Sequence, residues 1–375
     1  MGHTINMIGP KAIIHLDSLI HNYQLIKEKV QNKRVMAVVK ANAYGHGAVP
    51  VAKALESVGV DWFGVFTPEE GIALRQGGVS GNILVFCRFN RQFLPKAMEW
   101  NLTLNITSED DLMDLKEFHT ATGSSPAVHV KIDTGMTRLG LPVEAVSSFF
   151  KLLKETPNVQ CEGIYSHFAT ADEGDPEYAK HQLEQFEEVL KIAGQMGFTF
   201  EHIHLSNSGS VLNLPESYFT LVRVGLLLYG AFPSDEVPKD LPIEPVMDFT
   251  APVVNLRKVK AGTLVSYGGV WSAPHDTVIG VVQVGFADGF PRSWYEEGCI
   301  SLKGERYKIA GRVCMDQLTV DFFNANVKAG DEVLLFGKNK RNSILMEEIS
   351  ESIGSTPYVL FTAIGGRTKH IFKEL

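Results

Sequence analysis

The chain has 375 residues, of which 45 % are hydrophobic and 21 % charged, a composition typical of a globular protein long enough for two domains. Lys and Arg total 35 and Asp and Glu total 43, so the net charge is −8, and no basic cluster with interleaved aromatic residues suggests nucleic acid binding. The cysteines are scattered and no apolar run reaches the ~18 residues of a membrane span, so we expect a cytoplasmic protein with reduced thiols and no membrane partner.

Apolar runs rich in β-branched residues recur along the first part of the chain, with helical patterns between them. These runs are residues 34–40, 62–66, 83–87, 102–106, 127–133, 163–168, 202–206 and 219–225. One intervening segment, residues 67–78, has the signals of a helix start, with Thr67 as the cap, Pro68 in the first turn and Glu70 in the third position. Eight strands that alternate with helices predict an α/β fold of the (β/α)8 TIM-barrel type.

The character of the sequence changes after a segment dense in proline and acidic residues, 228–245. Residues 246–336 contain short strands with turn signals and little helix, which predicts a C-terminal, mostly β domain. We place the boundary so that residues 1–243 form the barrel domain and residues 244–375 the β domain. A ninth run, residues 12–17, is one strand more than the barrel needs, and we expect it to pair with the β domain.

Unusual polar residues stand at the ends of the predicted barrel strands, where barrel enzymes carry their catalytic groups. They are Lys40 after the first strand, Asp133 and Arg138 after the fifth, His167 at the sixth, His204, Asn207 and Ser208 around the seventh, and Arg223 on the eighth. Each has an ordinary structural explanation, such as a helix cap or an ion-pair partner, but their common location favours one site. A lysine amine opposite a Ser/Gly phosphate cradle is what pyridoxal 5′-phosphate requires.

Eight motifs in order along nearly the whole chain carry a resemblance to a known family. They read "VVKANAYGHG", "KIDTGMTRLG", "SHFATADE", "HLSNSGS", "VRVGLLLYG", "VSYGG", "GFADGFPR" and "GRVCMDQLTVD". The sequence resembles the alanine racemase family, pyridoxal phosphate enzymes with a barrel followed by a β domain. The resemblance implies a racemase that interconverts L-alanine and D-alanine, and a homodimer whose active sites are shared between subunits.

The resemblance also assigns the catalytic and substrate-binding residues. Lys40 resembles the lysine that binds the cofactor covalently and serves as one base. Tyr267, in "VSYGG", resembles the opposing base, which the other subunit supplies. Arg138 and the backbone N–H of Met315, again across the dimer, would hold the substrate carboxylate, and Lys131 matches a lysine that is carbamylated in some members.

The remaining roles concern the cofactor, and no metal is implied. Its phosphate would be bound by Tyr44 and Ser208 with the backbone at Gly225 and Leu226, and Asn207 is also expected to contact the cofactor. Arg223 resembles the arginine that faces the pyridine nitrogen, and His167 the histidine near the ring that links the catalytic tyrosine to that arginine, while His204 would support the arginine from behind.

These residue types suit racemisation, because the α-proton must leave from one face and return on the other, which requires two bases. A permanently protonated arginine, in place of a carboxylate, keeps the pyridine nitrogen unprotonated and disfavours side reactions such as transamination.

The chain departs from the family pattern at two positions. Gly366 stands where some members have a tyrosine near the phosphate and the pocket entrance, and Phe286 stands where a tyrosine is common in the entrance corridor. A wider entrance would admit serine or a longer side chain, so the alternative is a serine racemase or one of broader specificity. It is equally compatible with the sequence that Gly366 is an ordinary position in a C-terminal strand.

Two other classes share the barrel. Non-enzymatic pyridoxal phosphate binding proteins keep a similar lysine but lack the second domain and its tyrosine, which this chain has. The related basic amino acid decarboxylases have a glycine triplet and an "EPGR" type of segment, and neither is present in this sequence.

Overall fold

The computed structural model describes residues 9–339 and 341–373, so the outer ends of the two predicted domains, residues 1–8 and 374–375, lie outside the described residues. The strands before residue 230 are β1 (Lys11–His15), β2 (Arg34–Val38), β3 (Trp62–Val65), β4 (Asn82–Val85), β5 (Leu104–Ile106), β6 (Val128–Asp133), β7 (Leu141–Pro142), β8 (Cys161–Tyr165), β9 (His202–His204) and β10 (Leu221–Val224). The eight runs read from the sequence correspond to these strands without β1 and β7.

The eight strands form a closed parallel barrel. Four of them pair in the order β10-β2-β3-β4 and the other four in the order β5-β6-β8-β9. Backbone hydrogen bonds close both seams, from Val85 N to Thr103 O at 3.0 Å between β4 and β5, and from Thr220 N to Ile203 O at 3.2 Å between β9 and β10. The predicted (β/α)8 barrel is therefore confirmed.

Helices surround the barrel and two more lie near the C-terminus. They are α1 (Leu16–Lys29), α2 (Lys40–Tyr44), α3 (Ala48–Ser57), α4 (Pro68–Gln76), α5 (Leu94–Glu99), α6 (Glu109–Thr122), α7 (Val146–Lys154), α8 (Glu177–Gln195), α9 (Ser208–Asn213), α10 (Met346–Ser352) and α11 (Pro357–Ala363). Helix α4 begins as predicted, with Thr67 and Glu70 forming a reciprocal capping box. Across residues 9–339 and 341–373, none of the helices has the length and apolar character needed to cross a membrane.

The C-terminal part is mostly β, as the sequence predicts. Its strands are β11 (Met247–Val259), β12 (Leu264–Val265), β13 (Trp271–Ser272), β14 (Thr277–Val282), β15 (Cys299–Leu302), β16 (Glu305–Lys308), β17 (Leu318–Asp321), β18 (Glu332–Asn339), β19 (Asn342–Ile344) and β20 (Lys369–Lys373). The main sheet runs in the order β16-β15-β18-β11-β1-β20.

Strand β1 belongs to this C-terminal sheet, although it lies at the start of the chain. It pairs antiparallel with β11 and parallel with β20, which confirms that the ninth apolar run pairs with the β domain. The domain boundary between residues 243 and 244 remains a prediction.

The helical turn α2 is left-handed, which is unusual because it contains no glycine. Its residues Ala41, Asn42, Ala43 and Tyr44 have φ angles of 51°, 54°, 54° and 52°. Left-handed conformations cost L-residues about 1–2 kcal/mol each, so this turn requires compensating contacts. Because it directly follows β2, the turn determines where Lys40 and Tyr44 are placed at the barrel mouth.

Candidate active site

A cavity of about 540 Å³ opens at the C-terminal ends of the barrel strands. The site residues predicted from the sequence that line it are Lys40, Tyr44, Lys131, Arg138, His167, Asn207, Ser208, Arg223, Gly225 and Leu226. Three predicted site residues lie elsewhere: His204 is buried behind Arg223, and Tyr267 and Met315 line a separate depression in the β domain. The barrel alone thus brings together the amine, the guanidinium and the hydroxyl groups.

Lys40 is the last residue before the left-handed turn, and it lines the cavity. Burial, followed by the positive charge of Arg138, lowers the pKa of the Lys40 amine from its ordinary value. A lowered pKa increases the fraction of neutral amine, which is the form that attacks an aldehyde and accepts a proton.

Arg223 is buried at the base of the cavity and donates hydrogen bonds through both terminal nitrogens. Its acceptors are His204 Nδ1 (3.0 Å) and His204 O (3.0 Å) from Nη1, and Ser166 O (2.8 Å), His167 Nδ1 (3.0 Å) and Leu205 O (3.2 Å) from Nη2. Burial lowers the pKa of Arg223 to about 10, so the side chain stays protonated at neutral pH. The Nε–H group has no partner among the described residues, which leaves one donor for a ligand.

The two histidines next to Arg223 are neutral. Each accepts from the guanidinium through Nδ1, which places its proton on Nε2. Burial, followed by the charge of Arg223, holds the pKa of His167 and of His204 well below the ordinary value. The Nε2–H of His204 donates to His129 Nδ1 at 2.8 Å, whereas the Nε2–H of His167 remains available at the cavity side.

Tyr44, Ser208 and Gly225 supply the cavity with hydroxyl groups and a close approach to the backbone. Ser208 Oγ accepts from the N–H of Gly225 at 3.2 Å. A Cβ atom at Gly225 would lie 2.6 Å from Tyr44 Oη, so only glycine leaves room for the Tyr44 hydroxyl. Burial raises the pKa of Tyr44, which keeps its hydroxyl protonated as a donor. Asn207 caps α9, its Oδ1 accepting from Ser210 N at 3.1 Å.

Two further cations complete the lining of the cavity. Burial, with the charges of Arg223 and Arg138, lowers the pKa of Lys131 to about 7, and its Nζ lies 5.4 Å from the centre of the Tyr165 ring. Arg138 is exposed at the rim, on a loop held by Asp133 Oδ1, which accepts from Thr137 N at 3.0 Å. Such a concentration of positive charge suits anionic ligands such as a phosphate or a carboxylate.

Tyr358 lines the same cavity and was missed by the sequence analysis. It lies in α11, and its ring centre is 5.8 Å from that of Tyr44. The signal that marks this helix is Thr356 followed by Pro357 at the first helical position.

Gly366 is not among the residues that line the barrel cavity, and its interpretation as an entrance position stays a prediction. It lies in a turn between α11 and β20, with a φ of +59°, which contradicts its placement in a C-terminal strand. Phe286 lies in a short 3₁₀ turn and is 40 % exposed, away from the barrel cavity.

Tyr267 and Met315 line an open depression of about 660 Å³ in the β domain. Their side chains are 67 % and 56 % exposed, and the neighbouring Leu264 is 67 % exposed. Large apolar side chains gathered on a surface mark an interaction site.

Comparisons with known proteins agree with this architecture. The family model described as "Alanine racemase, N-terminal domain" matches residues 14–233, and the model described as "Alanine racemase, C-terminal domain" matches residues 246–372. The alanine racemase of Carboxydothermus hydrogenoformans is 37 % identical over 363 residues, which cover 96 % of this chain and 98 % of that protein.

Solved structures show the same similarity. An alanine racemase from Clostridium difficile superposes with a TM-score of 0.92 at 33 % identity, covering 98 % of this chain and 96 % of that one. An alanine racemase from Streptomyces lavendulae, a D-cycloserine producer, has a TM-score of 0.90 at 34 % identity, covering 98 % of this chain and 97 % of that one.

The barrel, the β domain and the lysine-bearing cavity define a pyridoxal phosphate-dependent enzyme acting on amino acids. The chain belongs to the alanine racemase family.

Proposed function

We propose that this chain interconverts L-alanine and D-alanine with pyridoxal 5′-phosphate bound in the barrel cavity, using Lys40 and a Tyr267 from a second subunit as the two bases. The observation that carries the proposal is the combination in one cavity of a lysine amine with a lowered pKa and a buried, fully oriented arginine.

The residues of the cavity fit the proposed cofactor. Tyr44 and Ser208 suit a phosphate group, because both offer hydroxyl groups beside the backbone of Gly225. The remaining Nε–H of Arg223 suits an unprotonated ring nitrogen, since a guanidinium can only donate. When bound, pyridoxal phosphate withdraws electrons from the substrate Cα and makes its proton acidic.

The protein residues then position the substrate and transfer the proton. The Arg138 guanidinium at the rim binds the carboxylate of the amino acid by charge-assisted hydrogen bonds. The neutral Lys40 Nζ accepts the α-proton on one face of the substrate and returns it there in the reverse direction. Lys131, neutral in part at pH 7, is available for the carbamylation known in some family members.

The second base comes, in this proposal, from a homodimer. Within one chain Tyr267 and Met315 line their own exposed depression, apart from the barrel cavity. A second subunit that covers the barrel mouth with this surface would bury both side chains and bring the Tyr267 hydroxyl towards His167. In that position the Tyr267 hydroxyl would face the Nε2–H of His167, which has no partner among the described residues.

The direct test is to incubate the purified, cofactor-loaded protein with L-alanine and to measure D-alanine by enantiomer-resolving chromatography. We expect D-alanine to accumulate until both enantiomers are equal, and no product with Lys40→Ala. A panel of other L-amino acids, with L-serine first, tests the alternative of a serine or broader-specificity racemase. Faster turnover of serine than of alanine would overturn the alanine assignment.

A further inference from the structure

Glu70 forms hydrogen bonds with two separate segments of the barrel mouth. Its Oε1 accepts from the N–H of Ala41 at 2.6 Å, and its Oε2 accepts from Phe66 N at 2.7 Å and Thr67 N at 3.2 Å. The N–H of Ala41 is part of the peptide bond between Lys40 and Ala41. We propose that Glu70 is a positioning residue that holds this peptide group and thereby aims the Lys40 side chain into the cavity.

The left-handed turn after Lys40 needs such a contact because, apart from Asn42, none of its residues adopts that conformation readily. Residues 41–44 all have positive φ without a glycine, and the turn is not held by its own residues alone. Its far end is held by His370, whose Nε2 donates to Gly45 O at 2.7 Å, and Asn42 Oδ1 accepts from Ala48 N at 2.9 Å. Glu70 supplies the contact at the near end, next to the lysine.

A carboxylate is required at position 70 because both of its oxygens accept hydrogen bonds, one from Ala41 and the other from the start of α4. The capping box of α4 needs one acceptor oxygen from residue 70, and either Glu or Gln supplies it. The contact with Ala41 needs a second acceptor. In Glu70→Gln the amide oxygen can serve Phe66 and Thr67, and the amide NH₂ would then face the Ala41 N–H, donor against donor.

The charge of Glu70 also acts on the lysine. Burial and the charge of Arg138 lower the pKa of Lys40, and Glu70 opposes them by favouring the protonated amine. The carboxylate is thus linked to Lys40 both through a backbone hydrogen bond and through space. The inference rests on the proposed function in one respect, that Lys40 is the lysine that binds the cofactor.

Hydrogen–deuterium exchange of the cofactor-free and cofactor-loaded protein tests the role of Glu70, with Glu70→Gln compared with Glu69→Gln. Glu69 is exposed and one residue earlier in α4, so its substitution removes the same charge without a contact to Ala41. In Glu70→Gln we expect amides in the peptide 39–47 to exchange at least about tenfold faster, as for the loss of a hydrogen bond to a charged group, while the peptide 66–76 keeps its protection. Pyridoxal phosphate should also dissociate faster from Glu70→Gln than from Glu69→Gln.

Three results would overturn the proposal. Unchanged exchange in the peptide 39–47 would show that Glu70 does not hold the turn, and faster exchange confined to the peptide 66–76 would show that it acts only as a helix cap. Faster exchange with unchanged cofactor dissociation would show that holding the turn does not position Lys40. Borohydride trapping on the wild type separates these results from a failure of the proposed function. If borohydride fixed the cofactor to another lysine, the proposed role of Lys40 would be refuted. The exchange data of the cofactor-free protein would still show whether Glu70 holds the turn.

Discussion

Arg223→Lys should destabilise the protein markedly, because the guanidinium satisfies five buried acceptors. These are the carbonyl oxygens of Ser166, His204 and Leu205 and the Nδ1 atoms of His167 and His204. The four N–H groups on Nη1 and Nη2 serve these acceptors, whereas a lysine ammonium has three N–H donors, so at least one donor is lost. A buried acceptor left without a donor costs about 1–3 kcal/mol, so we expect a loss of at least this size in the free energy of unfolding.

The assay is urea denaturation of the cofactor-free wild type and variant, so that differences in cofactor binding do not contribute. Arg75→Lys is the matched control, because Arg75 also donates to backbone carbonyls but lies outside the cavity. Its acceptors are Trp100 O, Val79 O, Gly81 O and Asn101 O, at 2.6–3.0 Å. We expect Arg75→Lys to lose stability while keeping the racemisation rate, whereas Arg223→Lys loses stability and about 10²-fold in rate, as for a preorganised donor. An Arg223→Lys variant within 1 kcal/mol of the wild type, with its rate intact, would refute this reasoning.

Three further predictions follow from the cavity. Borohydride should fix the cofactor to a peptide that contains Lys40, and labelling of any other lysine would contradict its assignment. Mixing inactive Lys40→Ala and Tyr267→Phe subunits should restore some activity, since one active site of a mixed dimer has both bases. If no activity returns although the subunits are shown to exchange, each active site is built from a single chain. Gly225→Ala should weaken binding of pyridoxal phosphate at least about tenfold, because its Cβ would lie 2.6 Å from Tyr44 Oη, whereas Gly194→Ala, with no atom within 4 Å of its Cβ, should bind as the wild type does. Equal affinities of the two glycine variants, measured by fluorescence titration, would argue against the phosphate lying at Gly225.

The barrel could be predicted because its strands are short apolar runs separated by helices with clear start signals. Thr67, Pro68 and Glu70 are such a signal, and the helix begins at Pro68 as expected. The polar residues at strand ends follow from the same periodicity, since parallel strands in a barrel present their ends at one mouth.

Other parts of the site depend on contacts between distant segments. The left-handed turn after Lys40 contains three residues that do not favour positive φ, Ala41, Ala43 and Tyr44, and Glu70 is 29 residues away from Ala41. Glu70 was recognised only as a capping residue, because its second hydrogen bond has no local pattern. Tyr358 was missed because α11 reaches the barrel mouth from the C-terminal region of the chain.

The most direct test of the two-base proposal is racemisation of α-deuterated L-alanine and D-alanine by Tyr267→Phe, since phenylalanine keeps the ring and removes only the hydroxyl. We expect this variant to bind pyridoxal phosphate normally and to lose about 10²–10⁴-fold in rate, the usual contribution of one positioned acid–base group. If the roles follow the family resemblance, Tyr267 would act on the L-enantiomer and Lys40 on the D-enantiomer, so deuterium abstraction from L-alanine should be the more impaired. A variant that keeps most of the wild-type rate in both directions would contradict the account and indicate that Lys40 alone serves both faces.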